Sequence, residues 1–334
     1  MNIAVLCSAH GFGHVGRQLA VVERLLMLGH DVALYTAAPP ELLRVTRPAG
    51  QGALTIVPWR VDVGIAQLDS LTEDLDATRV RWREAVTRID LLADAVRGMD
   101  HAIVDVAPTA MEACRRAGVP ATAVGNFDWA WIYEHYPALT EFAPQMKAWQ
   151  SHHRAVALSP GPGMHGFRGV TQVAEPLALC ATPFRPDVPG RAVLVAFGGL
   201  GLNNLAAWLP RIPDVTWVLA PPSPAVERDD VRFVADARFP ALLAGVDAVL
   251  TKPGYGVLAE AMLCGTRLCW VDRGHFPEAP YLERAMRDRG DVKVQGGAGG
   301  VEQAVREGLA RGRPAAQERT AVDHIVRAIG VGIR

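Results

Sequence analysis

The chain has 334 residues, 50% of them hydrophobic and 21% charged, with a formal net charge of -1. Single cores stop growing near ~250–300 residues, so two domains are expected, and the balanced charge excludes bulk electrostatic binding of nucleic acid or anionic lipid. The cysteines (Cys7, Cys114, Cys180, Cys264, Cys269) are scattered and form no C-x-x-C pair, Met1-Asn2 lacks a basic leader region, and no apolar stretch approaches the ~20 residues of a membrane span. The expectation is a cytosolic two-domain protein with neither a disulfide frame, nor a structural zinc site, nor a transmembrane segment.

An apolar run over 3–7 stops abruptly in S-A-H-G-F-G-H-V-G-R, residues 8–17. This pattern predicts a strand feeding a glycine loop that opens a helix from about Val15, with free N–H groups and a positive dipole end suited to a phosphate or diphosphate. Gly11, Gly13 and Gly16 match G-x-G-x-x-G, which by itself suggests a dinucleotide-binding unit. His10, His14 and Arg17 bring titratable and cationic groups to a loop that such a unit keeps uncharged. The acidic residue expected after the second strand for an adenosine ribose is also missing, because that run ends in Tyr35-Thr36-Ala37. The loop therefore reads as a reactive site.

Further along, strand-like runs at 31–35, 53–59, 102–106 and 121–124 alternate with helical patterns at 18–28, 71–96 and 109–117. Short β-branched runs at helical spacing predict a parallel sheet with crossover helices. Arginines at 79, 81, 83, 88 and 97 read as a solvated helix face. A proline- and glycine-rich stretch over 159–189 lacks sustained periodicity and reads as a linker. The pattern then restarts, with strands at 192–197, 216–219, 231–234, 248–251 and 267–271 and helices at 239–244 and 258–264. The fold class predicted is α/β, two Rossmann-like parallel-sheet domains facing a central cleft. The expected boundaries are 1–165 for an N-terminal Rossmann-like domain, 166–190 for the linker, 191–315 for a C-terminal domain, and 316–334 for a C-terminal helix packing back on the N-terminal domain; the resemblance described below implies the acceptor for the first domain and the nucleotide sugar for the second.

The segment T-K-P-G-Y-G-V-L-A-E, 251–260, combines a strand end, a turn held by Gly254 and Gly256 beside Tyr255, and a helix bearing Glu260. Glu260 lies about one helical turn in, where a carboxylate suits a ribose diol; an exposed acid favoured by the helix dipole is the alternative. Gly198 and Gly199 follow the strand at 192–197 and offer amides to a diphosphate that Lys252 would neutralise. His275 and Glu278 are expected to project toward the sugar.

The order G-x-G-H-x-x-R, then G-G, then G-Y-G-x-x-x-E-A resembles a GT-B glycosyltransferase. The likeness is closest to the glycosyltransferase-like N-terminal domain of plant L-arabinokinases and its bacterial relatives. It is carried by G-F-G-H at 11–14, D-V-A-P at 105–108, N-F-D-W-A-W-I-Y at 126–133, K-P-G-Y-G-V-L-A-E-A at 252–261 and F-P-E-A-P-Y-L at 276–282. The likeness is to the glycosyltransferase-like part alone, so the expectation does not include sugar-kinase activity. The glycine loop is similar also to those of the UDP-sugar hydrolase of the pseudaminic acid pathway and the bacterial lipid-I GlcNAc transferase. The resemblance implies that the C-terminal half holds the nucleotide sugar, that Glu260 takes the ribose, that His14 lies near the reacting centre and that no bound metal or cofactor is needed.

The expected activity is inverting transfer of a sugar from a UDP- or dTDP-type donor to a small-molecule acceptor, with His14 as general base. Asp105 orients His14, binds the acceptor or caps the helix that follows. Phe12 belongs to the loop, and Asn126, Asp128 and Trp129, with Phe127, Trp131 and Tyr133, form either an acceptor wall or core. A hydrolase using the same histidine loop and a non-catalytic nucleotide-sugar-binding module are the alternatives.

Overall fold

The computed structural model describes residues 1–9, 11–43, 45, 52–69, 72–198 and 205–330. The chain divides into two compact units, the first holding 1–66, 73–177 and 319–334 and the second holding 67–72 and 178–318.

The first unit opens with β1 (Asn2–Leu6), α1 (Phe12–Met27), β2 (Asp31–Thr36) and β3 (Leu54–Pro58). Two short strands, β4 (Gln67–Asp69), in the stretch that belongs to the second unit, and β5 (Thr72–Glu73), where the chain returns, precede α2 (Leu75–Thr87), α3 (Ile89–Val96), β6 (His101–Val104) and α4 (Pro108–Ala117). Then come β7 (Ala121–Gly125), α5 (Trp129–Glu134), α6 (Ala143–Gln150), β8 (Arg154–Leu158) and β9 (Gly169–Val173). The sheet order is β3-β2-β1-β6-β7-β8-β9, with its recorded pairings parallel. Ile3, Ala4, Val5 and Leu6 are fully buried, as are Ala102, Ile103 and Val104. These continuous apolar runs are what a strand covered on both faces requires. The chain leaves β1 toward one edge and β6 toward the other, so the strand order reverses between them, the place where open α/β sheets hold ligands.

Several elements differ from the sequence pattern. α1 begins at Phe12, so Gly13, His14 and Gly16 lie in its first turns instead of in a loop. The long helical stretch breaks at Arg88, where α2 ends in a non-helical residue that also caps α3. The proline-rich stretch contains β9, a strand whose burial falls only on Val173 and which therefore shows no apolar period. The final helix, α11 (Ala321–Ala328), belongs to the first unit, where Asp323 accepts a hydrogen bond from Arg24 of α1 at 2.7 Å.

The second unit carries β10 (Arg191–Ala196), β11 (Val215–Leu219), β12 (Val231–Phe233), α7 (Phe239–Gly245), β13 (Ala248–Thr251) and α8 (Tyr255–Cys264). It continues with β14 (Arg267–Trp270), α9 (Ala279–Asp288), β15 (Val292–Lys293) and α10 (Val301–Arg311). Its sheet order, β12-β11-β10-β13-β14-β15, repeats the same parallel plan, with the reversal between β10 and β13. Trp217 and Trp270 are both fully buried, in the cores on the two sides of this sheet. Each of these large side chains removes roughly 150–250 Å² from water, which anchors the strands that end at the ligand-facing edge.

Candidate functional site

At the reversal point of the first sheet, β1 ends at Leu6 and β6 at Val104. The residues that follow, Ser8 and Asp105, meet there: the Ser8 backbone N–H donates to Asp105 Oδ2 at 3.2 Å. Asp105 is fully buried. Its other partners come from the first two turns of α1. His14 Nδ1 is 2.9 Å from Oδ2, and Arg17 donates to Oδ1 through Nε at 3.0 Å and again through Nη2. Burial alone would raise this carboxyl, but the charges of Arg17 and His14 and their hydrogen bonds outweigh it and hold the carboxyl below its usual range. Asp105 caps no helix, because the N-cap of α4 is Ala107.

Arg17 is itself 4% exposed and passes a third bond, Nη1 to Asn126 Oδ1 at 2.9 Å. It is an interior counter-charge, and not a phosphate-facing cation as its place in the motif suggests. His14 Nδ1 also lies 2.9 Å from Arg17 Nη2. One imidazole nitrogen cannot donate to the carboxylate and accept from the guanidinium together. Donation to Asp105 satisfies the carboxylate while Arg17 keeps its other bonds, and it leaves the lone pair on Nε2, where a base needs it.

His14 is 13% exposed on its side chain. It lies against Trp129, with ring centroids 6.5 Å apart and near-parallel planes, and meets Phe127 edge-on at 6.3 Å. Trp129 and Phe127 pack on each other at 5.1 Å and are both buried. The aromatic cluster thus builds the wall that holds the imidazole, and the burial of Phe127 and Trp129 places these two in the core, one of the two alternatives that the sequence left open. Asp128 is the N-cap of α5: Oδ1 accepts from the Trp131 N–H at 2.9 Å and Oδ2 from the His165 N–H at 3.0 Å. Asn126 is equally occupied, donating from Nδ2 to the carbonyls of Leu158 and Pro160 and accepting from Arg17. Both act as structural braces, which the sequence did not distinguish from acceptor contacts.

Gly11 is the N-cap of α1 in an extended conformation, with no atom within 4 Å of a Cβ placed on it. Among the described residues beyond its chain neighbours, nothing would meet that Cβ, and the extended backbone makes no demand for a strained turn. His10 lies outside the described residues.

In the second unit, the reversal between β10 and β13 brings together Gly198, with φ +79°, and Lys252, whose Cε is 3.8 Å from where a Gly198 Cβ would stand. Thr251 ties the two strand ends by donating from Oγ1 to the Ala196 carbonyl at 2.7 Å. Gly254 is the N-cap of α8 and has no side-chain cap, and Tyr255 and Gly256 start the helix. Gly199 lies outside the described residues. One turn in, Glu260 is 7% exposed, and burial pushes its carboxyl up to about 8. Glu278 does not stand alone for a sugar: Arg273 Nη1 bonds its Oε1 at 3.0 Å while the same guanidinium covers the Phe276 ring at 3.9 Å. His275 is exposed.

This pair of sheets matches solved structures over nearly its whole length. The glycotransferase of kitacinnamycin aligns with 99% of this chain and 94% of its own, at 17% identity and a TM-score of 0.62. Arabidopsis thaliana UGT89C1 in complex with UDP aligns with 100% of this chain and 95% of its own, at 16% identity and a TM-score of 0.62. The fold is GT-B.

In sequence, the chain is similar to L-arabinokinase of Arabidopsis thaliana, 28% identical over 310 residues that cover 85% of this chain. It spans 29% of the length of that relative. No family model matches the chain. Within its GT-B fold, no group of three or more His, Cys, Asp or Glu among the described residues is placed to hold a metal ion, and no described helix is long and apolar enough to cross a membrane.

One residue of the site carries no sequence signal. Asp62, on the segment between β3 and β4, is 6% exposed. Burial pushes its carboxyl up to about 6, against the lowering effects of the His14 charge, the Ser8 hydroxyl and the Trp129 indole. An aspartate in R-V-D-V-G-I-A matches no motif, and only the tertiary fold buries it.

Proposed function

We propose that the chain is a glycosyltransferase that moves a sugar from a UDP- or dTDP-sugar to a hydroxyl of a small-molecule acceptor, with inversion and without a metal. The observation that carries this reading is the Arg17–Asp105–His14 cluster at the reversal point of the first sheet. A buried carboxylate, itself neutralised by a guanidinium, fixes the imidazole through Nδ1 and leaves Nε2 as the base. UGT89C1 has been solved with UDP, with UDP-L-rhamnose and with quercetin, which supports a nucleotide-sugar donor and a small-molecule acceptor for a chain of this fold.

The second unit is assigned the donor. Lys252 and the amides at Gly198 and at the Gly254 helix start receive the diphosphate, whose charge grows as the anomeric bond breaks. Glu260 takes the ribose hydroxyls, which gives its buried carboxyl two donors. The first unit is assigned the acceptor. As the acceptor oxygen bonds to the anomeric carbon, its proton passes to His14 Nε2 and the nucleoside diphosphate departs with the bonding pair of the old C–O bond. Asp105 keeps the ring oriented throughout.

The test is a panel of UDP-, dTDP-, GDP- and ADP-sugars offered without acceptor, read by thermal stabilisation and by nucleoside diphosphate release. Stabilisation by one donor with little release is expected of a transferase. Release at full rate without acceptor makes the protein a hydrolase, and no response to any donor removes the nucleotide-sugar reading.

A further inference from the structure

The loop from Asp272 to Glu278 joins β14 to α9 and has anchors of its own. Asp272 accepts the Gly274 N–H through Oδ1 at 2.9 Å and pairs through Oδ2 with Lys293 of β15 at 3.0 Å, while Phe276 is buried. Inside this frame stands an ion pair, Arg273 with Glu278, whose side chains are 12% and 10% exposed. The guanidinium lies over the Phe276 ring at 3.9 Å, and its Nη1 donates to Glu278 Oε1 at 3.0 Å.

Two features separate this pair from one that only stabilises a fold. Glu278 is the N-cap residue of α9, yet its side chain makes no cap bond, although the free amides and the dipole of a helix start attract an acid. The carboxylate is held by Arg273 instead, and the same Nη1 donates a long bond, 3.4 Å, to the Pro253 carbonyl. Pro253 stands between Lys252 and Gly254, the N-cap of α8. One nitrogen thus ties the acid to the turn that opens that helix. The second feature is Nε of Arg273, which is buried with no hydrogen-bond partner among the described residues. A largely buried ion pair that leaves a donor unmet adds little stability over apolar packing.

The arrangement answers an electrostatic conflict. A carboxylate beside a turn that receives a diphosphate repels it, and the repulsion is strong where little water screens it. A guanidinium on one carboxylate oxygen cancels the charge and leaves the other oxygen able to accept from a hydroxyl.

Resting on the assignment of the donor to the second unit, we propose that Arg273 is a positioning residue of the donor site: it holds Glu278 beside the diphosphate turn and neutralises it there, so that Glu278 reads the hydroxyls of the sugar without repelling the phosphates.

The experiment is calorimetric titration of the full chain and its variants with UDP, dTDP, GDP and ADP, and then with a sugar donor built on the diphosphate that binds. Arg273→Met is expected to weaken the nucleoside diphosphate about tenfold, because Glu278 is left charged and uncompensated. Adding Glu278→Gln to Arg273→Met is expected to restore that affinity, a rescue that a merely structural arginine would not show. Normal diphosphate binding by Arg273→Met, or a defect that persists in the double variant, overturns the proposal. If Arg273→Met does not fold, Glu278→Gln alone decides: it is expected to keep the diphosphate affinity and to bind the sugar donor about tenfold more weakly. Unchanged donor affinity in that variant overturns the proposal. An unsubstituted protein that binds none of the four diphosphates removes the donor reading itself, so the two failures are distinguishable.

Discussion

Val106 turns the chain out of β6 with φ +50°, and its Cγ1 stands 2.2 Å from where a β-carbon on Gly125 would be. A non-glycine residue in that conformation is strained, and it sits immediately after Asp105. The turn that aims the carboxylate at His14 therefore relies on the absence of a side chain on the neighbouring strand. The same missing atom leaves 3.6 Å to Arg17 Nη2.

Gly125→Ala is accordingly expected to lower stability by about 1–3 kcal/mol through overpacking and to lower turnover as well, because the displaced atoms adjoin Asp105. Calorimetry paired with a transfer assay checks it. A variant that loses stability but keeps full turnover would show that Val106 does not govern the carboxylate.

Arg17→Met leaves Asp105 buried without its counter-charge, and about 3–5 kcal/mol of stability is expected to go with it. The pH dependence has a definite sign. The folded carboxyl lies below its unfolded value, so its contribution is present above the unfolded pKa and is lost as pH falls through the folded one. Acid unfolding of the unsubstituted protein should show this loss below about pH 4. Arg17→Met should flatten that limb, which urea titrations at several pH values measure.

Glu260 has the opposite sign. Burial pushes its folded carboxyl up to about 8 from an ordinary 4.5, so the folded chain holds the extra proton between those values and stability falls as pH rises across them. Glu260→Gln is expected to melt a few degrees above the unsubstituted protein at pH 8.5, with little difference at pH 4.5. The same change should weaken donor binding roughly tenfold or more, by removing an acceptor for two hydroxyls. Equal melting temperatures at both pH values would place the carboxyl in contact with solvent.

Asp128→Ala removes a cap from α5 and an acceptor for the His165 amide. A stability loss of about 1–2 kcal/mol is expected, with acceptor preference unchanged. A changed preference would return Asp128 to the acceptor site.

The parts of the molecule that were legible in the sequence are those governed by local rules. Ile3 to Leu6 and Val193 to Val195 read as strands because continuous apolar runs need burial on both faces. The place of His14 at the opening of α1 was readable from its glycine-flanked position. The start of α1 was misplaced because Gly13 and Gly16 are poor helix formers, and tertiary packing of Val15 and Leu19 overrides that preference. The edge strand β9 was hidden because four of its five residues are exposed and supply no apolar alternation. Asp128 and Asn126 were assigned to the acceptor because a sequence shows polar residues but not the amides and carbonyls that occupy them. Asp62 was invisible for a related reason, since its position depends on Thr109, Tyr133 and Thr78, residues 16 or more positions away.

The central claim is that His14 Nε2 accepts the acceptor's proton during sugar transfer. The direct measurement compares donor affinity and transfer rate of His14→Ala with those of the unsubstituted protein, using the donor that the panel selects. Turnover reduced roughly 10²- to 10⁴-fold with donor affinity retained is the predicted result. Unchanged turnover would contradict the claim, and the Arg17–Asp105–His14 cluster would then be a structural pair with a neighbouring histidine.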